Sequence, residues 1–358
     1  MKLTELSYKT ANWEIKNLEF DNVSLIVGKN STGKSKTLRA IDLLGKILTQ
    51  RVGLVEESTW NVTFSSDKYG TINYQFIVET SNGESFVSFE QMAVDDKVYV
   101  HRKLQQASLQ NVLDNIGNTI YPPSNKLTIH ITRDIKKYPY LEEIIIWAER
   151  SYGFKFGSIG PEVPYNQQEY NLLTAVDEIP ALYKELSAES KERVRKYFLE
   201  IGYRIDEIVF TSGRQRNFLH IKESDMEIYL AHYQLSQGMF RSLSILIFIE
   251  YLLFIKKAAT VIIDDLCEGL DYDRATKLGK IIYENCIQKN IQLIATSNDM
   301  FLMDVVNLKY WNLLQRDGAV VTALNPKNQP DLFNDFQFTG LSNFDFLASD
   351  YIAQKIKK

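Results

Sequence analysis

Residues 24–44 read SLIVGKNSTGKSKTLRAIDLL, and no other stretch of the 358-residue chain narrows its architecture as much. Ser24 to Val27 make a short run suited to a buried strand, and apolar residues at Leu38, Ile41, Leu43 and Leu44 then recur at helical spacing. Between them lies Gly28-Lys29-Asn30-Ser31-Thr32-Gly33-Lys34-Ser35, the G-x-x-x-x-G-K-S pattern in the strand, loop and helix context that it requires. Glycines at 28 and 33 allow the backbone to approach phosphate oxygens closely, with successive N–H groups turned inward. The helix starting near Lys34 adds the positive end of its dipole. Lys34 then reaches the β- and γ-phosphates, and the Ser35 hydroxyl binds Mg²⁺. An incidental surface turn would not need both flanking elements, so the stretch predicts nucleotide binding in an α/β fold.

A second stretch, VIIDDLCEGLD at 261–271, carries Asp264 and Asp265 at the end of an apolar run. Two acids at a strand end are by themselves unremarkable, because strands commonly run into polar loops. A phosphate loop in the same chain changes their meaning: Asp264 is placed to hold the Mg²⁺ water shell and Asp265 to orient the attacking water. Upstream, Ser236-Gln237-Gly238 opens a strongly apolar helix, 28 residues before Asp264. Exposed N–H groups, small residues and a hydroxyl make a second anion clamp there. One nucleotide needs one such clamp, so this one is expected to serve the nucleotide of another copy. Ser236 also reads as an ordinary helix N-cap, and the two roles are compatible.

In order, GKNSTGKS, LSQGM, VIIDDLCEGLD and IQLIATSND resemble the motifs of ABC-type ATPases of the soluble SMC/RecF/OLD-like branch, over roughly residues 15 to 45 and 205 to 315. The resemblance implies a P-loop NTPase head that binds ATP and Mg²⁺ and closes as a homodimer around the nucleotide. It implies nucleotide contacts from Gly28, Asn30, Ser31, Thr32, Gly33, Lys34, Ser35, Lys36 and Thr37 of one subunit. Ser236, Gln237, Gly238 and Asp271 of the other would complete the site, with Mg²⁺ held by Ser35 and Asp264. Lys34, Asp265 and Asn298 would carry the chemistry. Asp265 stands where the family usually has glutamate and Asn298 where it usually has a histidine. A shorter acid and a side chain that cannot become a cation predict slow hydrolysis.

The rest of the chain is less specific. Its length allows about two domains, and 45% hydrophobic with 24% charged residues is the composition of a folded protein. Two cysteines, Cys267 and Cys286, make no disulfide framework, and the N-terminus lacks a signal-peptide core, so a cytoplasmic location is expected. The run Leu243 to Ile255, interrupted by Glu250, is too short to span a bilayer and reads as a buried helix. A net charge of -4 gives no global attraction to nucleic acid.

Residues 1–103 are expected to hold the first half of the core, with the phosphate loop and a flanking antiparallel sheet whose strands lie in WNVTFSS, TINYQFIVET, SFVSFEQM and KVYVHRK. Residues 104–204 are expected to form an inserted helical lobe without long coiled-coil arms, residues 205–325 the second half of the core, and residues 326–358 a tail packed back on it through its phenylalanines. Gln105 or Gln106 is the candidate for the glutamine that senses Mg²⁺ in the resembling family. The scattered histidines at 101, 130, 220 and 232 read as structural. Arg193, Arg195, Lys196, Arg214 and Arg216 could contact DNA, although a solvated helix face is the commoner fate of such residues.

From the resemblance, the expected role is an ATP-dependent switch acting on a separate effector, a nuclease or toxin, in bacterial defence or DNA repair, with no membrane partner. A transporter's nucleotide-binding subunit is the alternative, which the long middle segment disfavours. A small-molecule kinase is a third, which leaves LSQGM unexplained.

Overall fold

Alternating burial builds the first third of the chain. Every second residue of WNVTFSS is buried, which is what a strand with one face on a core demands. The computed structural model describes residues 1–54, 56–113, 116–160, 179–212, 217–287, 289–349 and 351–356. They fall into two units, Met1–Ser151 with Lys309–Phe338, and Tyr152–Leu308 with Thr339–Lys358.

The chain begins with β1 (Lys2–Thr10), β2 (Trp13–Glu19), β3 (Val23–Val27) and α1 (Lys34–Leu48), followed by β4 (Ser58–Ser66), β5 (Gly70–Ser81), β6 (Glu84–Val94) and β7 (Lys97–Lys103). Then come β8 (Gln106–Gln110), β9 (Gly117–Ile120), α2 (Thr128–Ile131) and α3 (Pro139–Glu149). The second unit holds β10 (Ser151–Lys155), α4 (Ile179–Glu185), α5 (Ala188–Glu200), β11 (Ile205–Ser212), β12 (Asn217–Glu223) and β13 (Tyr229–Ala231). It continues through α6 (Gln237–Ile255), β14 (Ala259–Asp264), α7 (Tyr272–Ile287), β15 (Ile291–Thr296) and α8 (Met300–Val305). The chain returns to the first unit for β16 (Trp311–Asp317), β17 (Val320–Leu324) and α9 (Pro330–Gln337), and ends with α10 (Asn343–Ala348) and α11 (Tyr351–Ile356) in the second.

In the first unit the strand order is β3-β16-β17-β2-β1-β4-β5-β6-β7-β8-β9. β16 runs parallel to β3, with Trp311 opposite Leu25, and β17 runs parallel to β2. From β1 onward the pairs are antiparallel, and the four expected strands are β4 to β7. Tyr8, Trp60 and Phe76 stack in their core, with ring centroids 4.0 and 5.6 Å apart.

A buried charge holds the far end of this sheet to the segment that follows it. Glu90 accepts from Tyr74 Oη at 2.7 Å and from the Thr128 N–H at 2.8 Å. Arg102, equally buried, lies 3.7 Å from Glu90 and donates to the carbonyls of Leu104, Pro123 and Lys126. Burial raises the Glu90 carboxyl from its ordinary value, while these donors pull the other way.

Residues 104–204 are not a lobe of helices alone. They hold β8, β9 and β10 beside α2 to α5, and they divide between the two units at residues 151 and 152. The reason is visible at β8, where buried Ala107 and Leu109 alternate with polar neighbours and join the antiparallel sheet. The GPEVP turn falls largely outside the described residues.

In the second unit β14 and β15 are parallel, with Ile263 opposite Ala295, and β10 lies on the other side of β14. β11, β12 and β13 form a separate antiparallel sheet. α6 is buried along most of its length and packs against α4 and α5. Among the described residues it is the one helix long and apolar enough to cross a membrane, but 67% of its most apolar window is buried inside the protein. Its single acid, Glu250, accepts from Arg193 Nε and Nη2 at 2.9 and 2.6 Å.

Arg193 also pairs with Glu189, and Arg195 pairs with Glu192, so both arginines, for which DNA contact was the less common alternative, are engaged within the protein. Arg214 and Arg216 lie outside the described residues. In the tail, Leu332, Phe333, Phe336 and Phe346 are buried, whereas Phe338 is 89% exposed. Packing therefore accounts for three of the tail's five phenylalanines.

Candidate functional site

β3 is buried throughout and delivers the chain into the glycine loop of the first unit. A Cβ on Gly28 would lie 2.6 Å from Thr32 Oγ1 and 3.0 Å from the backbone oxygen of Leu314, so a side chain there is sterically excluded. Gly33, at φ 103°, is in the left-handed region and caps α1 with no side-chain hydrogen bond. Ser31, at φ 67°, is likewise left-handed. The loop is braced from within: Thr32 Oγ1 donates to the Lys29 carbonyl at 2.9 Å, and Thr37 Oγ1 to that of Gly33 at 3.0 Å. The buried Lys34 ammonium donates to the carbonyls of Gly28 at 2.6 Å and Lys29 at 3.2 Å, which aims it back over the loop.

Three residues that the motif does not contain complete this half. Arg316 Nη1 donates to the Ser31 carbonyl at 3.2 Å. Lys36 Nζ lies 4.9 Å over the Trp13 ring. The Trp13 indole is buried against Gly33, and its N–H has no hydrogen-bond partner among the described residues.

The second unit gathers the acids. Thr296 Oγ1 donates to Asp264 Oδ1 at 2.7 Å and accepts from the Asp265 N–H at 2.9 Å, so one hydroxyl at the end of β15 fixes both residues at the end of β14. Asp265 Oδ1 accepts from Asn298 Nδ2 at 3.2 Å, and Oδ2 lies 3.5 Å from Lys155 Nζ. The loop that follows is held by Leu266 N–H donating to the Thr296 carbonyl at 2.8 Å and by buried Ser297 donating to the Leu266 carbonyl at 3.0 Å. It needs such support, because Asp265, Cys267 and Gly269 all have positive φ, at 54°, 70° and 80°. Burial pushes the Cys267 thiol well above its ordinary pKa, so it stays neutral.

Mg²⁺ takes few protein ligands and keeps waters and substrate phosphates for the rest. A single strand-end carboxylate steered by Thr296 fits that habit. Among the described residues, no group of three or more His, Cys, Asp or Glu could hold a metal ion.

The LSQGM segment forms the start of α6. Ser236, exposed, is the N-cap, and its Oγ accepts from the Met239 N–H at 3.3 Å. Gly238 lets the helix approach the loop before α7, since a Cβ there would lie 3.2 Å from Leu270 Cδ2. Ser236, Gly238, Tyr203, Asp271 and Arg274 line one open cavity of about 430 Å³. Asp271 accepts from the Arg274 N–H at 3.1 Å and pairs with its guanidinium, which lies 4.6 Å over Tyr203. Burial alone would raise the Asp271 carboxyl, but the bonds from Arg274 outweigh it and hold the group below its ordinary value.

No protein-family model matches the chain, and no curated protein matches it. Solved structures do. An SMC head domain from Thermotoga maritima superposes with a TM-score of 0.52 at 13% identity, over 91% of this chain and 99% of that one. An SMC head bound to the C-terminal winged-helix domain of ScpA gives 0.57 at 13% identity, over 92% and 100%. The Pyrococcus furiosus SMC head with an extended coiled coil, bound to the C-terminal domain of ScpA, gives 0.52 at 10% identity, over 94% and 99%.

The chain has the fold of an SMC head domain. Within it, the sequence-predicted residues fall into three groups. Gly28 to Thr37 form the braced loop and helix start of the first unit. In the second unit, Asp264, Asp265 and Asn298 are linked by hydrogen bonds centred on Thr296 and Asp265. Ser236, Gly238 and Asp271 meet at the cavity beside α6, and Gln237 opens that helix.

Gln105 and Gln106 do not join the phosphate loop. They are exposed residues of the turn from β7 to β8, where Lys103 pairs with Gln106, near the other end of the sheet order from β3. Thr296, Lys155 and Arg274 were not singled out by the sequence; Thr296 alone had a signal, as a hydroxyl at the end of an apolar strand.

Proposed function

We propose that this protein binds ATP with Mg²⁺, closes as a homodimer around it, and hydrolyses it slowly to switch a separate effector. The observation that carries this reading is the meeting of Ser236, Gly238 and Asp271 on one open cavity, in a chain that already has a phosphate loop of its own. A serine-capped helix start beside an acid held by arginine presents donors for a triphosphate arriving from a second copy.

In this reading the backbone N–H groups of residues 28–33 and the Lys34 ammonium bind the β- and γ-phosphates. Ser35 and Asp264 hold Mg²⁺, which neutralises phosphate charge when bound. Asp265, steered by Asn298, orients the attacking water and accepts its proton, and Ser236 of the second copy closes over the γ-phosphate. Differential contact in the closed pair couples nucleotide to shape. Asp265 is one methylene shorter than the glutamate of the resembling ATPases, and Asn298 brings no positive charge, so turnover is slow.

The effector reading rests on the resemblance and on precedent in the fold. Two of the solved SMC heads described above are bound to a domain of a separate protein, ScpA. A nuclease or toxin of bacterial defence, or a DNA-repair protein, is the proposed partner here.

Light scattering of an Asp265→Asn protein with and without Mg-ATP tests the core of the proposal. A mass that doubles only with ATP, and fails to double when Ser236 is replaced by Arg, is the expected result. A strict monomer at saturating ATP overturns it.

A further inference from the structure

We propose that Lys155 is a positioning residue for Asp265 and that Arg241, on the helix that begins at Ser236, holds it in place. The proposal rests on the reading of Asp265 as the group that orients the attacking water. Lys155 is the last residue of β10, the strand beside β14, and its Nζ lies 3.5 Å from Asp265 Oδ2. Asn298 donates to the other oxygen at 3.2 Å, so the carboxylate is gripped from two sides. That matters because Asp265 sits on a left-handed backbone, at φ 54°, in a loop that its surroundings must hold in shape.

The segment behind Lys155 is itself anchored. Arg241 donates through Nη2 to the Gly157 carbonyl and through Nε to the Ile159 carbonyl at 3.0 Å. Its Nη1 donates to the carbonyl of Glu268 at 3.4 Å, in the loop that carries Asp265. The two segments also touch directly, for a Cβ on Gly157 would fall 2.1 Å from Glu268 Oε2. One guanidinium thus braces both partners of the Lys155–Asp265 pair, and it projects from the helix whose N-terminus is proposed to meet the other copy's nucleotide. Movement of that helix is transmitted to the acid through Arg241.

The Lys155 side chain is 49% exposed, and such an ion pair by itself shifts an equilibrium by no more than about fivefold. Misplacing a reacting group by 1 Å can cost about 100-fold in rate. Orientation therefore dominates, and removing Lys155 slows the reaction.

Steady-state Mg-ATP hydrolysis by the full chain carrying Lys155→Met, Lys155→Arg, Arg241→Met or both methionines tests this. The expected result for Lys155→Met is a kcat lowered about tenfold with a KM for ATP within about twofold. Lys155→Arg recovers most of the rate, and the double variant is no slower than the slower single one. A second readout is the lifetime of the ATP-bound dimer after free ATP is removed, which lengthens about tenfold in Lys155→Met, as it does in Asp265→Asn. An unchanged kcat in Lys155→Met, a rise in KM alone, or no recovery with Arg overturns the inference while wild-type hydrolysis leaves the ATPase reading intact. A wild-type protein that binds no ATP overturns both.

Discussion

The hydroxyl of Thr296 joins the two acids of β14's end, donating to Asp264 Oδ1 at 2.7 Å while accepting the Asp265 backbone N–H at 2.9 Å. Thr296 is fully buried, so its hydroxyl has no water of its own to fall back on. Replacing it with the near-isosteric Val removes the acceptor of the Asp265 N–H and the donor to Asp264 Oδ1. Thr296→Val is expected to cost about 1–2 kcal/mol of stability, read from urea denaturation. It should also lower ATP turnover by about tenfold or more, beyond anything the stability loss explains while the protein remains folded. Retention of full turnover would show that Asp264 needs no steering.

Gly28 offers a sharper test of the phosphate loop. Its missing Cβ would strike Thr32 Oγ1, which can swing, but also the Leu314 carbonyl at 3.0 Å, which cannot. Gly28→Ala should therefore displace the loop and weaken nucleotide binding by at least about tenfold. Trp13, buried against Gly33 and beneath the Lys36 ammonium, supplies the signal: its fluorescence should change on titration with ATP in the wild type, and the midpoint should move to higher concentration in the variant. An unshifted midpoint would place the nucleotide elsewhere.

How much of this was readable in the sequence follows from how local each signal is. The phosphate loop carries its own strand, glycines and helix, and strands such as β4 announce themselves because alternate residues are buried. β8 and β9 are only five and four residues long, so the alternation in β8 covers just two buried positions, and the segment around them read as helical. Lys155 was invisible for another reason. Nothing in SYGFKFGS marks a functional lysine, and its partner Asp265 is far along the chain, so only the pairing of β10 beside β14 brings them together. Arg193 was read as a helix-face residue with a DNA contact as the lesser alternative, yet an acid in the middle of the apolar run of α6 already required a cationic partner, and that demand was in the sequence.

The Arg193–Glu250 pair makes that demand measurable. Glu250 is 2% exposed and accepts from both Nε and Nη2 of Arg193, so removing the arginine strands a carboxylate among the apolar side chains of α6. The guanidinium remains 39% exposed, and water can enter from its side, so Arg193→Met is expected to cost about 2 kcal/mol rather than the larger values of sealed pairs. Glu250→Leu on top of it should recover most of the loss, because the double variant leaves no charge unpaired. Chemical denaturation of the single and double variants measures the cycle, and a double variant no more stable than Arg193→Met would mean that Glu250 is solvated by another route.

Two histidines, the half-buried His130 and the buried His232, set the acid limit. His130 accepts the Leu127 N–H at Nδ1 and bonds the Ile47 carbonyl through Nε2, an arrangement that only the neutral ring satisfies. Burial pushes its pKa down to about 4, and burial does the same to His232, whose Nδ1 accepts the Leu219 N–H. In the unfolded chain both titrate near 6.5, so between about pH 6.5 and 4 the unfolded state binds more protons than the native one. Stability is then complete above about pH 6.5 and falls as the solution is acidified, with a slope of at most about 1.4 kcal/mol per pH unit for each ring. His130→Gln, whose amide can also accept and donate, should be flatter over that window than the wild type in thermal melts at fixed ionic strength. Equal slopes would mean that the His130 ring is protonated in the native protein and that its bond to the Leu127 N–H is not formed in solution.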